Sequence, residues 1–289
     1  MQPGVACASR RYTDRLRRLL LRPGAIGDCI LCFPAMEALR DAYTEVWVPS
    51  AVCPLVRFAN VVRPIVSTGI DLILPGRPAP LNTLALLRGF DDIVSWYGAN
   101  RPDFRAAAQE LKLPFRFFDA LPPFGDFRHA TEFFLSQIGF GGPVAPRINC
   151  PPLPSGEDFI VIHPFSGGRS KNWPLANFRE VSKRLPLAVS WCAGPEEPLD
   201  DAVRIDDLYE LGCWLASARL YIGNDSGITH LAAAVGTPVI ALVKRMDAIV
   251  WRPLGRRVHV IARELESISV EDVLEAADAL LGHSSENAT

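Results

Sequence analysis

Short, nearly continuous apolar runs recur along this chain, with amphipathic stretches between them. The runs Arg18–Arg22, Glu45–Pro49, Val61–Ser67, Asp92–Trp96, Phe159–His163, Leu187–Trp191, Leu220–Gly223, Pro238–Val243 and Val258–Ala262 predict strands. Apolar residues at helical spacing predict helices over Asp28–Asp41, Pro174–Leu185, Asp206–Ser217, Ser226–Val235 and Val270–Leu281. Strands apolar on both faces belong to parallel sheets covered on both sides by helices, so an α/β fold is predicted.

One stretch breaks the alternation. Gly139–Glu157 carries Gly139, Gly141, Gly142, Pro143, Pro146, Pro151, Pro152, Pro154 and Gly156, too much Gly and Pro for a helix or a central strand. It cuts the chain nearly in half, and each half opens as strand, glycine-containing loop, helix. The expected organisation is a basic N-terminal arm (1–17), an N-terminal Rossmann-like domain (18–140), a linker (141–157), a C-terminal Rossmann-like domain (158–282) and a tail (283–289). Two doubly wound parallel sheets would face each other across a cleft, with ligands at the carboxyl ends of the strands.

Composition narrows the function. With 289 residues, 49% hydrophobic and 21% charged, the chain has ample core material and is neither disordered nor fibrous. Its net charge of −2 supplies no general field for nucleic acid, so no nucleic-acid partner is expected. Seven scattered cysteines (Cys7, Cys29, Cys32, Cys53, Cys150, Cys192, Cys213), several inside apolar runs, suit a reducing compartment better than a disulfide framework. Cys29-x-x-Cys32 has metal-like spacing but no second pair, and no metal is expected. No apolar run approaches the ~18 residues of a membrane span, which points to the cytoplasm. Arg10, Arg11, Arg15, Arg17, Arg18 and Arg22 leave peripheral contact with an anionic inner-membrane surface as the one membrane role to consider, against a merely solvated arm.

Three loops after predicted strands carry the candidate chemistry. In Arg22-Pro23-Gly24-Ala25-Ile26-Gly27-Asp28-Cys29, the glycines allow close backbone approach and Asp28 stands at or near a helix N-terminus. Asp28 is either the helix cap or a carboxylate aimed into the cleft as a general base. In His163-Pro164-Phe165-Ser166-Gly167-Gly168-Arg169-Ser170-Lys171-Asn172-Trp173-Pro174, small residues, two cations and a helix expected to begin at Pro174 form a candidate anion site suited to a diphosphate. An ordinary flexible loop with solvated cations is the alternative. In Gly223-Asn224-Asp225-Ser226-Gly227-Ile228-Thr229-His230, a turn presents Asp225 and Ser226 at the start of a helix narrow enough to pack close to the sheet. Ser226 and the Gly227 amide can bind phosphate and Asp225 can accept hydroxyls, while His230 reads as a satisfied core histidine.

The blocks R-P-G-A-I-G-D-C-I-L-C-F-P-A, H-P-F-S-G-G-R-S-K-N-W-P-L-A-N-F and G-N-D-S-G-I-T-H-L-A-A-A-V-G-T-P-V-I-A-L together resemble glycosyltransferase family 9, the heptosyltransferases. The likeness covers residues 18–42 and most of 157–282. It implies a GT-B fold and an inverting, metal-independent transfer of heptose from ADP-heptose to a lipopolysaccharide-core-like glycan or glycolipid acceptor, with no cofactor. By motif, Asp28 is similar to the family's general base and Lys171 to its diphosphate-binding lysine. Asp225 corresponds to the aspartate at the donor sugar, with Ser166, Gly167, Ser226 and Gly227 at the phosphates. Glu196 or Glu197 of A-G-P-E-E corresponds to the ribose-binding acid. The chain departs from the family pattern at Phe165, where small residues are commoner, and in a shorter acceptor-side half. A UDP-hexose transferase and a catalytically silent nucleotide-sugar-binding protein are the rival readings. A nicotinamide dehydrogenase is excluded for want of G-x-G-x-x-G.

Overall fold

The computed structural model of the chain describes residues 16–154 and 158–282; most of the basic arm, the tail 283–289 and Cys7 lie outside them. In the N-terminal half the strands are β1 (Arg17–Leu21), β2 (Tyr43–Val48), β3 (Val61–Pro64), β4 (Asp92–Ser95) and β5 (Phe115–Phe117). Its helices are α1 (Ile26–Ala38), α2 (Leu81–Leu87), α3 (Pro102–Glu110) and α4 (Ala130–Gln137). The C-terminal half holds β6 (Phe159–His163), β7 (Ala188–Trp191), β8 (Leu220–Asn224), β9 (Val239–Val243) and β10 (Val258–Ala262). Its helices are α5 (Leu175–Arg184), α6 (Leu208–Ala216), α7 (Gly227–Val235), α8 (Arg245–Trp251) and α9 (Val270–Gly282).

Each half is a five-stranded, all-parallel sheet, ordered β3-β2-β1-β4-β5 and β10-β9-β8-β6-β7. These are doubly wound orders, and in both the direction of winding reverses once: between β1 and β4, and between β6 and β8. Ligands of such sheets bind at the carboxyl ends of the strands flanking that reversal. The loops after β1, β6 and β8 stand there, and they are the three loops singled out by sequence. Two parallel-sheet domains facing across a cleft make the GT-B arrangement.

The central strands account for the apolar runs. Leu19–Leu21 of β1 and all of β8 and β9 are buried, as strands covered on both faces must be. α1 is buried nearly all round because it lies between its own sheet, α4 and α7 of the other half. Several expectations need correction. The run Val61–Ser67 leaves the sheet at Pro64 and ends in a tight 3₁₀ turn, since proline has no N–H for the ladder. α1 begins at Ile26 with Ala25 as N-cap, so Asp28 is the third helical residue rather than the cap. Pro174 caps α5 instead of opening it. Within residues 141–154 the chain is packed as well as extended: Ile148 and Cys150 are buried, and the Ile148 N–H donates to the Ala234 carbonyl. Among the described residues no helix is long and apolar enough to cross a membrane.

Candidate active site

Asn224, fully buried at the end of β8, ties two of the loops together. Its Nδ2 donates to the Pro164 carbonyl at 2.8 Å, and its Oδ1 accepts from the Trp173 N–H at 3.0 Å. This brings the segment after β6 alongside Asp225 and Ser226. Ser226 is the N-cap of α7, its hydroxyl accepting from the Thr229 N–H. The small residues Ala232, Ala233 and Ala234 let α7 sit close to its neighbours, and Gly236 closes it in the left-handed region at φ 95°.

On the opposite side, Asp28 projects from the first turn of α1. Its Oδ2 accepts from the Ala25 N–H at 3.3 Å, while the half-buried carboxylate also lines the cavity. Asp28 thus braces the start of α1 from its third residue, with Ala25 as the cap, and also lines the cleft. Arg22 stiffens this turn from beneath. Its buried guanidinium lies over the Phe134 ring of α4 and donates to the Pro23 and Asp28 carbonyls at 2.9 and 3.1 Å; among the described residues its Nε has no hydrogen-bond partner.

The halves meet through two glycines. A β-carbon on Gly27 would lie 2.8 Å from His230 Cδ2, and one on Gly227 would lie 2.8 Å from Ile26 Cβ. Gly27 thus serves the contact between α1 and α7, a use of the glycine that sequence spacing does not distinguish from backbone approach to a ligand.

The cleft between them is two-lobed, the lobes sharing Ala25, Gly167, Ser226 and Gly227. One lobe, about 500 Å³, is mainly apolar, with Ile26, Cys192, Ile205, Leu208 and Leu211 in its wall and Glu197 at its polar edge. Glu197 Oε2 accepts from the Gly194 N–H at 2.6 Å and lies 3.0 Å from His163 Nε2. Burial alone would raise the Glu197 pKa, but His163 and that N–H outweigh it and hold it below the ordinary value. His163 is buried, with Nδ1 3.4 Å from the Ser226 hydroxyl, so one imidazole joins the acid of this lobe to the cap of α7. Sequence reading assigned His163 no role; a histidine at the carboxyl end of a central strand was the available signal. Glu196 is exposed and lines neither lobe.

The second lobe, about 440 Å³, gathers Asp28, Lys171, Asp225, His230 and Trp251. Lys171 Nζ donates to Asp225 Oδ2 at 2.7 Å and lies 3.3 Å from Asp247 Oδ2. Desolvation would lower the Lys171 pKa; the two carboxylates overcome that and raise it. The Asp225 side chain is only 9% exposed, so Lys171 is the counter-charge that makes its burial tolerable. Ser166 folds back, its hydroxyl 3.0 Å from the Gly168 carbonyl and 2.8 Å from Asn172 Oδ1, and Gly167 lines both lobes. Arg169, expected to add charge here, is exposed and lines neither lobe. His230 is buried as expected; it also lines this lobe, with Nε2 3.8 Å from Asp225 Oδ1.

Cys29 and Cys32, on the buried side of α1, have their thiols pushed up to about 12 by burial. Among the described residues, no three His, Cys, Asp or Glu side chains stand where they could share a metal ion. A larger groove, about 970 Å³, is lined by Arg147, Arg219, Arg256 and Arg257 at the amino ends of β8 and β10, away from these loops.

Residues 204–276 match glycosyltransferase family 9 (heptosyltransferase). Lipopolysaccharide heptosyltransferase 3 of Escherichia coli K12 is 35% identical over 163 residues, 43% of this chain and 47% of that protein. An E. coli protein of the same name is 32% identical over 119 residues, 34% of each. The chain thus aligns with less than half the length of these curated relatives. The solved E. coli ADP-heptose lps heptosyltransferase II superposes with a TM-score of 0.70 at 18% identity, covering 93% of this chain and 100% of that one. E. coli heptosyltransferase WaaC with ADP gives 0.64 at 16%, covering 92% and 100%. At these identities the structural likeness is one of fold.

Proposed function

Starting from its place in glycosyltransferase family 9, we propose that this chain transfers a sugar from a nucleoside-diphosphate donor to an acceptor hydroxyl, by a single displacement that inverts the anomeric carbon and needs no metal. The observation that carries the proposal is the two-lobed cleft: Asp28 of one half and Lys171 and Asp225 of the other line one cavity, continuous with a mainly apolar lobe that ends in Glu197. The apolar lobe accepts the nucleoside, with Glu197 taking ribose hydroxyls. Glu196, exposed outside both lobes, is set aside for that role. The diphosphate lies at the start of α7, where Ser226, the Gly227 amide and the helix dipole meet it, with Gly167 and Ser166 opposite. Lys171 supplies the point charge. Because Asp225 and Asp247 already neutralise it, the phosphates share the ammonium with them rather than meeting a free cation.

In the transfer step, Asp28 accepts the proton of the acceptor hydroxyl as its oxygen attacks the anomeric carbon. The bond from that carbon to the diphosphate oxygen breaks, and the charge gathered on the leaving group falls to Lys171 and the α7 amides. Donors fixed in advance at such a position contribute a few kcal/mol each, and a positioned base typically 10²–10⁴-fold. Asp225 orients the donor sugar. ADP-heptose is the proposed donor and a lipopolysaccharide-core-like glycan or glycolipid the proposed acceptor, supported by the names of the relatives and by the WaaC neighbour solved with ADP. Action in the cytoplasm at the inner membrane, with the basic arm on its surface, belongs to the same proposal. Titration with ADP, UDP and GDP, each read by thermal shift, tests it. A shift with ADP above the other two supports it, a preference for UDP replaces the donor, and no shift with any of them overturns it.

A further inference from the structure

The groove of about 970 Å³ at the amino ends of β8 and β10 takes no part in the transfer scheme. Three segments build it. Its floor is the last turn of α7, Ala233 to Gly236. Along one side runs the segment 145–149, tied down by the Ile148 N–H, which donates to the Ala234 carbonyl at 3.0 Å. On the other lies the turn 255–257, so close to α7 that a β-carbon on Gly255 would stand 3.1 Å from the Ala233 carbonyl oxygen. The cleft is at the opposite end of the same helix, whose 9 residues span about 13 Å at 1.5 Å per residue. The two sites are separate.

Charge marks the groove. The whole chain carries a net −2, yet Arg147, Arg219, Arg256 and Arg257 line this one surface and, among the described residues, no Asp or Glu does. Part of that charge is used locally: Arg219 pairs with Asp158 at 3.0 Å, and Arg257 donates to the Leu280 carbonyl. Arg147 and Arg256 are exposed and make no hydrogen bond or ion pair among the described residues. The carbonyl end of a helix is worth only about half a negative charge, too little to account for two further guanidinium groups. The Ile148 N–H already meets one of those carbonyls. Guanidinium forks match the oxygens of a phosphate and hold it bidentately. A bare phosphate would leave most of the groove empty, since its volume stands at the top of the roughly 300–1,000 Å³ range of small-molecule sites. Pro146, Ile148 and Val235 give the wall an apolar stretch beside the arginines. We propose that the groove is a second binding site, for a phosphate monoester with an apolar body, its phosphate held by Arg147 and Arg256 and its body lying along Pro146, Ile148 and Val235. Such a ligand presents the same chemistry free in solution or as a lipid headgroup. The site does not depend on the transfer function.

The test is a calorimetric titration of the full chain with phenyl phosphate, with and without saturating ADP, beside co-sedimentation with phosphatidylcholine vesicles containing phosphatidic acid. Wild type is compared with the double variant Arg147→Gln/Arg256→Gln. The control is Arg77→Gln/Arg88→Gln, which removes the same charge from exposed positions of the N-terminal half. Wild type should bind phenyl phosphate at a site for which ADP does not compete. The groove variant should bind it at least about 10-fold more weakly, the scale of losing hydrogen bonds to a charged group. Its melting temperature should stay within about two degrees, as for other surface substitutions, and the control should bind like wild type. Vesicle binding that the groove variant loses and the control keeps supports the site and makes the ligand a lipid headgroup; phenyl phosphate binding without it makes the ligand a soluble ester. Equal weakening in both double variants, a general charge effect, overturns the site. So does binding that ADP or Lys171→Ala abolishes, which would put the phosphate in the cleft, and so does wild type that binds neither probe. A chain that takes up no ADP but keeps this binding overturns the transfer function and leaves the groove site standing.

Discussion

Replacing Gly227 by alanine should uncouple the two halves of the site while leaving each half folded. Gly227 opens α7 against the first turn of α1, and an added β-carbon would lie 2.8 Å from Ile26 Cβ and 3.2 Å from the Gly27 nitrogen. Carbon contacts are most favourable at about 3.5–4.0 Å, and neither atom met is the end of a flexible side chain, so the helix ends must part by something under an ångström. Overpacking of this kind typically costs about 1–3 kcal/mol. The better helix propensity of alanine returns up to about 1 kcal/mol inside α7 itself. The cost lands on the contact between halves, which can relax by a small swing of one domain against the other. Steps that need both Asp28 and the C-terminal lobe therefore carry it: kcat/KM should fall by roughly 5–100-fold at 1.36 kcal/mol per tenfold. ADP affinity, which rests on the C-terminal half, should stay within about 3-fold, and the melting temperature within a few degrees. Gly141→Ala, where nothing lies within 4 Å, is the control. Unchanged kcat/KM in Gly227→Ala would refute the reasoning, as would a collapse of ADP affinity together with melting temperature.

Lys171→Ala should weaken ADP by about 10–100-fold and adenosine hardly at all, because a point charge on a phosphate acts only when the phosphate is present; equal loss for both ligands in a calorimetric titration would remove Lys171 from the diphosphate. The same variant leaves Asp225 buried without its ammonium and should melt below wild type in a thermal scan. His129, whose Nε2 lies 2.8 Å from the Arg252 carbonyl, is held by burial at about 4 against an ordinary 6.5. The unfolded chain therefore binds the extra proton first: the stabilisation is whole above pH 6.5 and is lost as pH falls through 4, about 3 kcal/mol when complete. Denaturant titrations from pH 7.5 to 4 should show that slope in wild type and a flatter one in His129→Asn, and equal slopes would contradict it.

What the sequence made legible follows the physics of burial. Strands apolar on both faces announce themselves, so Phe159–His163 and Val258–Ala262 coincide with the observed β6 and β10. Between 70 and 138, apart from the strand predicted over Asp92–Trp96 and observed as β4, the elements were opaque for the opposite reason. α2, α3 and α4 run only seven to nine residues, too short for a helical period to stand out, and β5 is a three-residue edge strand. The residues that line the cleft were readable where one loop holds them, as with Asp225 and Ser226. They were not where the decisive neighbour comes from the other half. His230 precedes the apolar run Leu231–Ala234 and is indeed buried; its contact with Gly27, some two hundred positions earlier, and its place in the wall of the cavity are not written in that run. Glu196 and Glu197 could not be told apart by sequence; in the structure it is Glu197 that lines the apolar lobe and meets His163 and the Gly194 N–H.

The proton acceptor is the central claim, and Asp28→Asn tests it most directly. The amide keeps the shape of the carboxylate and can still accept from the Ala25 N–H, so the first turn of α1 should lose no more than the roughly 0.3–1 kcal/mol of a charge at a helix N-terminus. The proton acceptor, by contrast, is gone. With ADP-heptose and acceptor saturating, kcat should drop by roughly 10²–10⁴ while ADP affinity and melting temperature hold near wild type. Turnover by Asp28→Asn at the wild-type rate would contradict the account and leave Asp28 a structural residue of α1.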